Sequence, residues 1–408
     1  MKSEFLFFVD FGLEHVSLLV CKINNNRVID IPLFLKETIE ITSQRPQNIF
    51  GQIDNFEALL KIINDAEKQL KTTINEIILT SKNSAFNLYF SSCKLEFKKP
   101  QKILQIHREK LATKIIKSFY EKTHNSNVLL DFITNNTILD DTITTANPYK
   151  MSCRKIVLNA TIISIKKLFI NTLSSYLEKY KIHIKHYITP CVSVYSLLKN
   201  NLSKNENYLF IDIGSCSTEY CVIQNGSIIY MDNIFIGGLD ITRDIASEIS
   251  LYIRDADKAK KKICDVNISN TNNKTTKFAI EQVEKISDAR FSEIITSIYR
   301  KLQEQKLINK NSFKKIYIFG GTSMYKNAVQ IINDTFKIET EIISNKYILN
   351  SDLLYNKVKE EFMTQENIQL FGAVNFYMSN IETYQNAKKG FLFKIPSKIS
   401  CLLKDLLY

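Results

Sequence analysis

The chain has 408 residues, 45% apolar and 24% charged, which excludes wholesale disorder and predicts a large packed interior shared by two to four subdomains. Its 54 Lys and Arg exceed its 42 Asp and Glu by a net +12, yet the chain is dense in Asn, Ile and Lys throughout, as an AT-rich genome would make it. No nucleic-acid recognition module is visible, so nucleic acid is not an expected partner. Eight cysteines without a C-x-x-C pair and without a secretory leader ahead of them point to free thiols in a reducing compartment.

The opening "MKSEFLFFVDFG" holds five uninterrupted apolar residues between Glu4 and Asp10, too few for a signal-peptide core or a membrane span, and predicts a buried first strand. "FFVDFGLEHVSLLVCKINNNRVIDIPLF" continues it as strand, tight turn, strand, Asn-containing turn and strand. In "DNFEALLKIINDAEKQL", Asp54 is a candidate N-cap, and Phe56, Leu59, Leu60, Ile62, Ile63 and Ala66 fall at helical spacing; the strand "EIILT" follows. From Ser81 to about Lys150 the texture changes to short strands, a basic helix "PQKILQIHREKLATKIIKSFYEK" and an Asn/Thr-rich stretch, which predicts an inserted subdomain. The pair His183 and His186 in "HIKH" has no third ligand in sight and reads as surface.

About half a chain after the first meander comes its counterpart, "LFIDIGSCSTEYCVIQNGSIIYMDNIF", with Asp212 and Gly214 in the places of Asp10 and Gly12. Two duplicated halves are therefore expected. "LDITRDIASEISLYI" and "FSEIITSIYRKLQEQ" read as helices, and the polar, basic stretch 255–277 between them as an exposed loop. "KKIYIFGG" is a buried strand ending in a glycine pair before the helix "SMYKNAVQIINDTF". Alternating strands and helices make the class α/β. In "FLFKIPSKISCLLKDLLY", Pro396 opens a helix that places Ile399, Leu402, Leu403, Leu406 and Leu407 on one face. Lys398 and Lys404 lie off that stripe, and Lys388, Lys389 and Lys394 stand before it. Such a helix either docks on the protein's own core or lies in a membrane interface, where each well-placed lysine adds roughly 1 kcal/mol of attraction to an anionic surface. The polar approach "MSNIETYQNAKKG" reads as a tether and favours the membrane.

The two Asp-x-Gly hairpins and the glycine pair carry the chemistry. Backbone N–H groups of a tight turn form an anion nest, and a carboxylate from each side can hold Mg²⁺ through water. This arrangement resembles the actin, Hsp70 and hexokinase ATPase fold, in which nucleotide lies between two duplicated halves. Within that superfamily the chain is most similar to the FtsA family of bacterial cell-division proteins. "ANPYKMSCRKI" resembles the end of that family's inserted 1C subdomain, "ITPCVSVYSLL" and "LFGAVNF" its connecting helices, and "GGLDITRDIA" and "DARFSEII" helices of its second half.

The resemblance implies an actin-like fold with subdomain 1A over 1–81 and 151–204, 1C over 82–150, 2A over 205–238 and 312–378, and 2B over 239–311, then a linker, 379–390, and a membrane-targeting helix, 391–408. It implies ATP and Mg as cofactors. Nucleotide would lie against Asp10, Gly12, Asp212, Gly214, Ser215, Ser217, Thr218, Gly320, Gly321 and Thr322, with the metal held through water at Asp10 and Asp212. It also implies the FtsZ C-terminal tail as a partner at Arg290 and Lys277, self-assembly into filaments, inner-membrane lipids on the cytoplasmic side, and other divisome proteins at the septum. Catalytic residues are not assigned, and the resemblance implies at most a weak ATPase.

Three departures from the family pattern stand out. Gly12 is followed by Leu13, Glu14 and His15, so a hydroxyl and a lysine are missing from the first turn. Ser215 and Cys216 replace glycines in the second, at roughly 1 kcal/mol each if φ were positive there. Glu219 stands for an Asp, keeping the charge one methylene further out. Cys216 has no histidine near it in sequence and does not read as a catalytic thiol. The competing readings are a PilM-like adaptor of the same fold, a nucleotide-independent scaffold, and a sugar or acetate kinase, which would need intact phosphate turns.

Overall fold

Two five-stranded sheets of the same topology form the centre of the computed structural model, which describes residues 4–39, 53–82, 86–145, 147–263, 274–308, 312–349, 351, 354 and 357–381. The first half begins with β1 (Glu4–Phe11), β2 (His15–Asn24), β3 (Arg27–Thr38), α1 (Ile53–Leu70) and β4 (Glu76–Thr80). Next come β5 (Phe86–Lys102), α2 (Gln105–Lys122), β6 (Asn127–Leu139), β7 (Ile143–Thr145) and β8 (Ser152–Lys166). After them follow α3 (Lys167–Glu178), β9 (His183–Ile188) and α4 (Pro190–Leu198). The second half holds β10 (Tyr208–Ile213), β11 (Thr218–Gln224), β12 (Ser227–Ile234), α5 (Gly238–Glu248), α6 (Ile253–Ile263), α7 (Lys274–Glu304), β13 (Lys315–Phe319), α8 (Ala328–Phe336), β14 (Thr340–Ile342), α9 (Lys346–Leu349) and α10 (Ile368–Ser379).

The first sheet runs β3-β2-β1-β4-β9 and the second β12-β11-β10-β13-β14. In each, an antiparallel meander is followed by two parallel strands, so the repeat read from the two Asp-x-Gly units is a structural duplication. β10 is buried along its whole length, as a strand covered on both faces must be, which accounts for its unbroken apolar run. α1 packs its Phe56, Leu59, Ile62, Ile63 and Ala66 stripe against the first sheet. The proposed cap Asp54 lies at a position whose side chain is outside the described residues. A third, antiparallel sheet, β5-β8-β6-β7, forms between β4 and α3, with α2 laying Leu111, Ile115 and Phe119 against it.

Between the two halves, α4 and α10 cross at Gly372. A Cβ there would lie 2.5 Å from the Ser193 carbonyl oxygen, so the small residue sets how closely the two helices approach. Asn375 adds a polar tie, its Nδ2 donating to the Ser196 carbonyl at 2.8 Å. These helices and the facing sides of both sheets share one core of Phe8, Phe210, Phe319, Phe371 and their neighbours.

Two readings of the sequence change. The stretch 255–277 is not a loop throughout: α6 runs to Ile263 and α7 starts at Lys274. The helix expected from Ser323 onward begins as a 3-10 turn over Gly321–Met324, and the α-helix starts only at Ala328. The terminal helix with Ile399, Leu402, Leu403, Leu406, Leu407, Lys398 and Lys404 lies outside the described residues. Among the described residues no helix is long and apolar enough to cross a membrane.

Candidate functional site: the cleft between the two hairpins

Both hairpin turns close in the same way. The Gly12 amide donates to the His15 carbonyl at 3.0 Å, and the Gly214 amide to the Ser217 carbonyl at 3.1 Å. Neither Ser215 nor Cys216 has positive φ, so the side chains that replace glycines there sit without backbone strain. The second turn is anchored from outside by its carbonyls. Gly214 O accepts from the Gly238 amide at 2.8 Å and from Thr322 Oγ1 at 3.0 Å, and Ser215 O accepts from the Leu239 amide at 2.8 Å. The start of α5 is thus fastened to the turn. The first turn is held by Asn55, whose Nδ2 donates to the Gly12 carbonyl at 2.6 Å.

The two turns face each other across one cleft, lined by Asp10, Gly12, Asp212, Gly214, Ser215, Ser217, Gly320, Gly321 and Thr322. Thr218 is not among them: it is buried, and its hydroxyl donates to the Ile236 carbonyl at 2.8 Å. Gly320 has φ +88°, and a Cβ on it would come 2.3 Å from Asp212 Oδ1, so only glycine brings the third turn against that carboxylate. Thr322 braces the second turn rather than standing free.

Other residues enter the same cleft without having been singled out. Lys82, just past β4, reaches across from the first half and sets its Nζ 2.7 Å from Asp212 Oδ1. Lys260 and Lys261 come from α6, where Lys260 Nζ donates to Gly238 O at 3.0 Å and to Thr242 Oγ1 at 2.6 Å. Cations from elsewhere in the chain thus line a cleft whose first turn carries no lysine. Position offered one signal for Lys82, because ligands in α/β sheets gather beyond the carboxyl ends of parallel strands and β4 runs parallel to β1. A second cross-cleft contact joins Ser215 Oγ, as donor, to Glu14 Oε1.

The buried carboxyls are tuned by desolvation. Burial raises Asp212 to about 6 against the opposing pull of Lys82, and the nearby Asp10 adds to the rise. Glu219 is pushed up to about 7, first by burial, while the Cys191 amide that donates to its Oε1 at 2.9 Å works the other way. The full charge expected of Glu219 near neutral pH is therefore corrected: burial costs the anion more than one amide returns. Burial also raises the Cys216 thiol, which leaves it a poor nucleophile.

The aspartates do not offer open carboxylates to Mg²⁺. Asp212 is held by Lys82, and Asp10 Oδ2 lies 3.3 Å from His15 Nε2 and accepts from Gln369 Nε2. No group of three His, Cys, Asp or Glu able to hold a metal occurs among the described residues. As they stand, these side chains do not fit a divalent ion.

Away from the cleft, Arg290 on α7 spends its guanidinium within the chain, with Nε 2.5 Å from Asp244 Oδ2, Nη2 3.0 Å from Asp244 Oδ1 and Nη1 2.6 Å from Glu293. Lys277 lies on the same helix, at a position whose side chain is outside the described residues.

The duplicated sheets joined by crossing helices, with a cleft between paired hairpin turns, make this an actin-like ATPase fold. Over 90% of this chain and 97% of the other, it superposes with a TM-score of 0.59 and 14% identity on a chain of the PilM-PilN type IV pilus biogenesis complex. In sequence the chain resembles FtsA: residues 209–363 match the family described as Cell division protein FtsA. Cell division protein FtsA of Bacillus subtilis (strain 168) is 24% identical over 234 residues, 54% of this chain and 52% of that protein. The chain thus spans about half the length of the curated relative it matches. MreB 5 of Spiroplasma citri, solved bound to AMPPNP, aligns over 96% of this chain and all of its own, with 14% identity and a TM-score of 0.45.

Proposed function

We propose that this chain is an FtsA-like cell-division protein, an actin-fold adaptor that binds ATP between the two hairpin turns and tethers FtsZ polymers to the cytoplasmic face of the inner membrane. What carries the reading is the FtsA match over residues 209–363, which includes the second hairpin, α5, α6 and the glycine turn that meet at the cleft. In this reading the protein works at the septum as a peripheral membrane protein, assembles with itself into filaments, and helps recruit other divisome proteins. The lipid-facing segment is 391–408, and the FtsZ tail docks near Arg290 and Lys277. The subdomain bounds given for 1A, 1C, 2A and 2B belong to the same proposal. Mg²⁺ at Asp10 and Asp212 is left out of it, because Lys82, His15 and Gln369 hold those carboxylates.

The test is co-sedimentation of an FtsZ C-terminal tail peptide with liposomes containing anionic lipid, in the presence of the full chain and of a chain lacking 391–408. Retention of the peptide by the full chain alone supports the reading. Membrane binding that survives the truncation removes the tail from it, and a full chain that never retains the peptide removes FtsZ. A PilM-like adaptor is the second reading, favoured by the superposition over nine-tenths of the chain. It predicts no membrane attachment by 391–408.

A further inference from the structure

The cleft holds a cation of its own on Asp212, one of the two carboxylates at which the family resemblance implies a metal. Lys82 is 14% exposed in its side chain and Asp212 is fully buried, and apart from this ion pair neither Asp212 carboxylate oxygen has a hydrogen-bond partner among the described residues. The ammonium also lies over the second phosphate turn: a Cβ on Gly214 would stand 2.3 Å from Lys82 Nζ. Gly214 is therefore what lets the ammonium rest against turn and carboxylate together. The approach is braced from behind. Ser81 Oγ donates to the Phe11 carbonyl at 3.0 Å, and the Tyr187 hydroxyl donates to the Ser81 carbonyl at 3.5 Å, fixing the backbone from which Lys82 leaves. The β1–β4 register, with Asp10 opposite Thr80, sets Lys82 two residues beyond the level of Asp10.

We propose that the ammonium of Lys82 takes the role of the divalent metal in this cleft, pairing with Asp212 while donating to the phosphates of a bound nucleotide, so that nucleotide binding here needs no Mg²⁺. The inference rests on the cleft being the ATP site. An ammonium has three donors: one meets Asp212 Oδ1 at 2.7 Å and a second leans on the Asp212 carbonyl oxygen at 3.4 Å, which leaves one for a phosphate oxygen. A divalent ion would need a shell of oxygen ligands, and the carboxylates that would anchor it are already engaged. The substitution has a chemical consequence. A single positive charge steadies phosphate but is not a Lewis acid, so it supports binding far better than turnover.

The experiment is titration of the full chain with a fluorescent ATP analogue, once with Mg²⁺ and once with EDTA, read as an affinity. Wild type should bind within about twofold in the two conditions. Lys82→Ala should lose about tenfold or more in EDTA, the size expected for one hydrogen bond to a charged group, and should recover part of that loss with Mg²⁺. Lys82→Gln, which keeps the length and one donor, should fall between them. Wild-type binding that vanishes in EDTA and returns with Mg²⁺ overturns the inference and leaves the nucleotide site standing. Absence of binding in both conditions removes the site and the inference together. These wild-type results do not depend on any variant folding.

Discussion

Asp212 and Glu219 stand directly opposite each other in the β10–β11 pair, both buried, and Glu219 in turn caps the Cys191 amide at the start of α4. Two carboxyls sharing one dry site cannot both ionise cheaply, and Lys82 pairs directly with the first while acting on the second only from a distance, more weakly than burial and the Cys191 amide.

The stability of the protein should therefore fall with rising pH in this window. Glu219 rises from an ordinary 4.5 to about 7 on folding, so between those values the native state holds a proton that the unfolded chain releases. The contribution is fully present below the lower value and is lost as pH passes the upper one. Glu219→Gln, which keeps the acceptor for the Cys191 amide, should unfold at a higher temperature than wild type at pH 8 and about level with it at pH 5. Thermal scans across that range check it, and an unchanged slope in the variant would assign the pH dependence elsewhere.

Gly320→Ala tests the third turn. The new Cβ would combine positive φ with an approach of 2.3 Å to Asp212 Oδ1 and 2.6 Å to the Ile213 carbonyl, so a loss of about 2 kcal/mol or more is expected in urea unfolding. If the cleft is the nucleotide site, affinity should drop with it, because the carboxylate that holds Lys82 is the first group displaced.

Gly372→Ala probes the helix crossing. Overpacking against Ser193 O should outweigh the helix propensity gained and cost a net of about 1–3 kcal/mol, read by denaturant unfolding. Ser193→Gly on the same chain should recover little, since the clash is with backbone.

Arg290→Glu should cost about 1 kcal/mol or less of stability, because its pairs with Asp244 and Glu293 are partly exposed. If Arg290 also receives an FtsZ tail, Asp244→Asn should tighten tail binding by freeing the guanidinium, and fluorescence anisotropy of a labelled tail peptide measures it. Tail binding unchanged in both variants would place the docking surface away from this arginine.

The meanders were legible because alternating apolar strands around Asp-x-Gly occur twice, and local pattern is enough to mark them. α6 was not, because Ala256 and Asp257 are its buried positions and no apolar stripe announces it. It is laced instead by the ion pairs Lys258–Asp255, Lys260–Asp257 and Lys261–Asp257 at helical spacing, which read in sequence as a solvated run. Lys82 was missed for another reason. Its neighbours in sequence say nothing about Asp212, which only the parallel pairing of β1 with β4 and the closure of the two halves bring within reach.

The contact of Glu14 with Ser215 carries a further consequence for whatever enters the cleft. A carboxylate from one turn already sits on a hydroxyl of the other. Tethered on the same chain, it competes with an incoming phosphate as a built-in rival anion, at an effective concentration on the order of millimolar. If nucleotide binds in this cleft, its affinity is a difference between two anions for the Ser215 hydroxyl. Weak binding would report the strength of that rival as much as any decay of the phosphate turns.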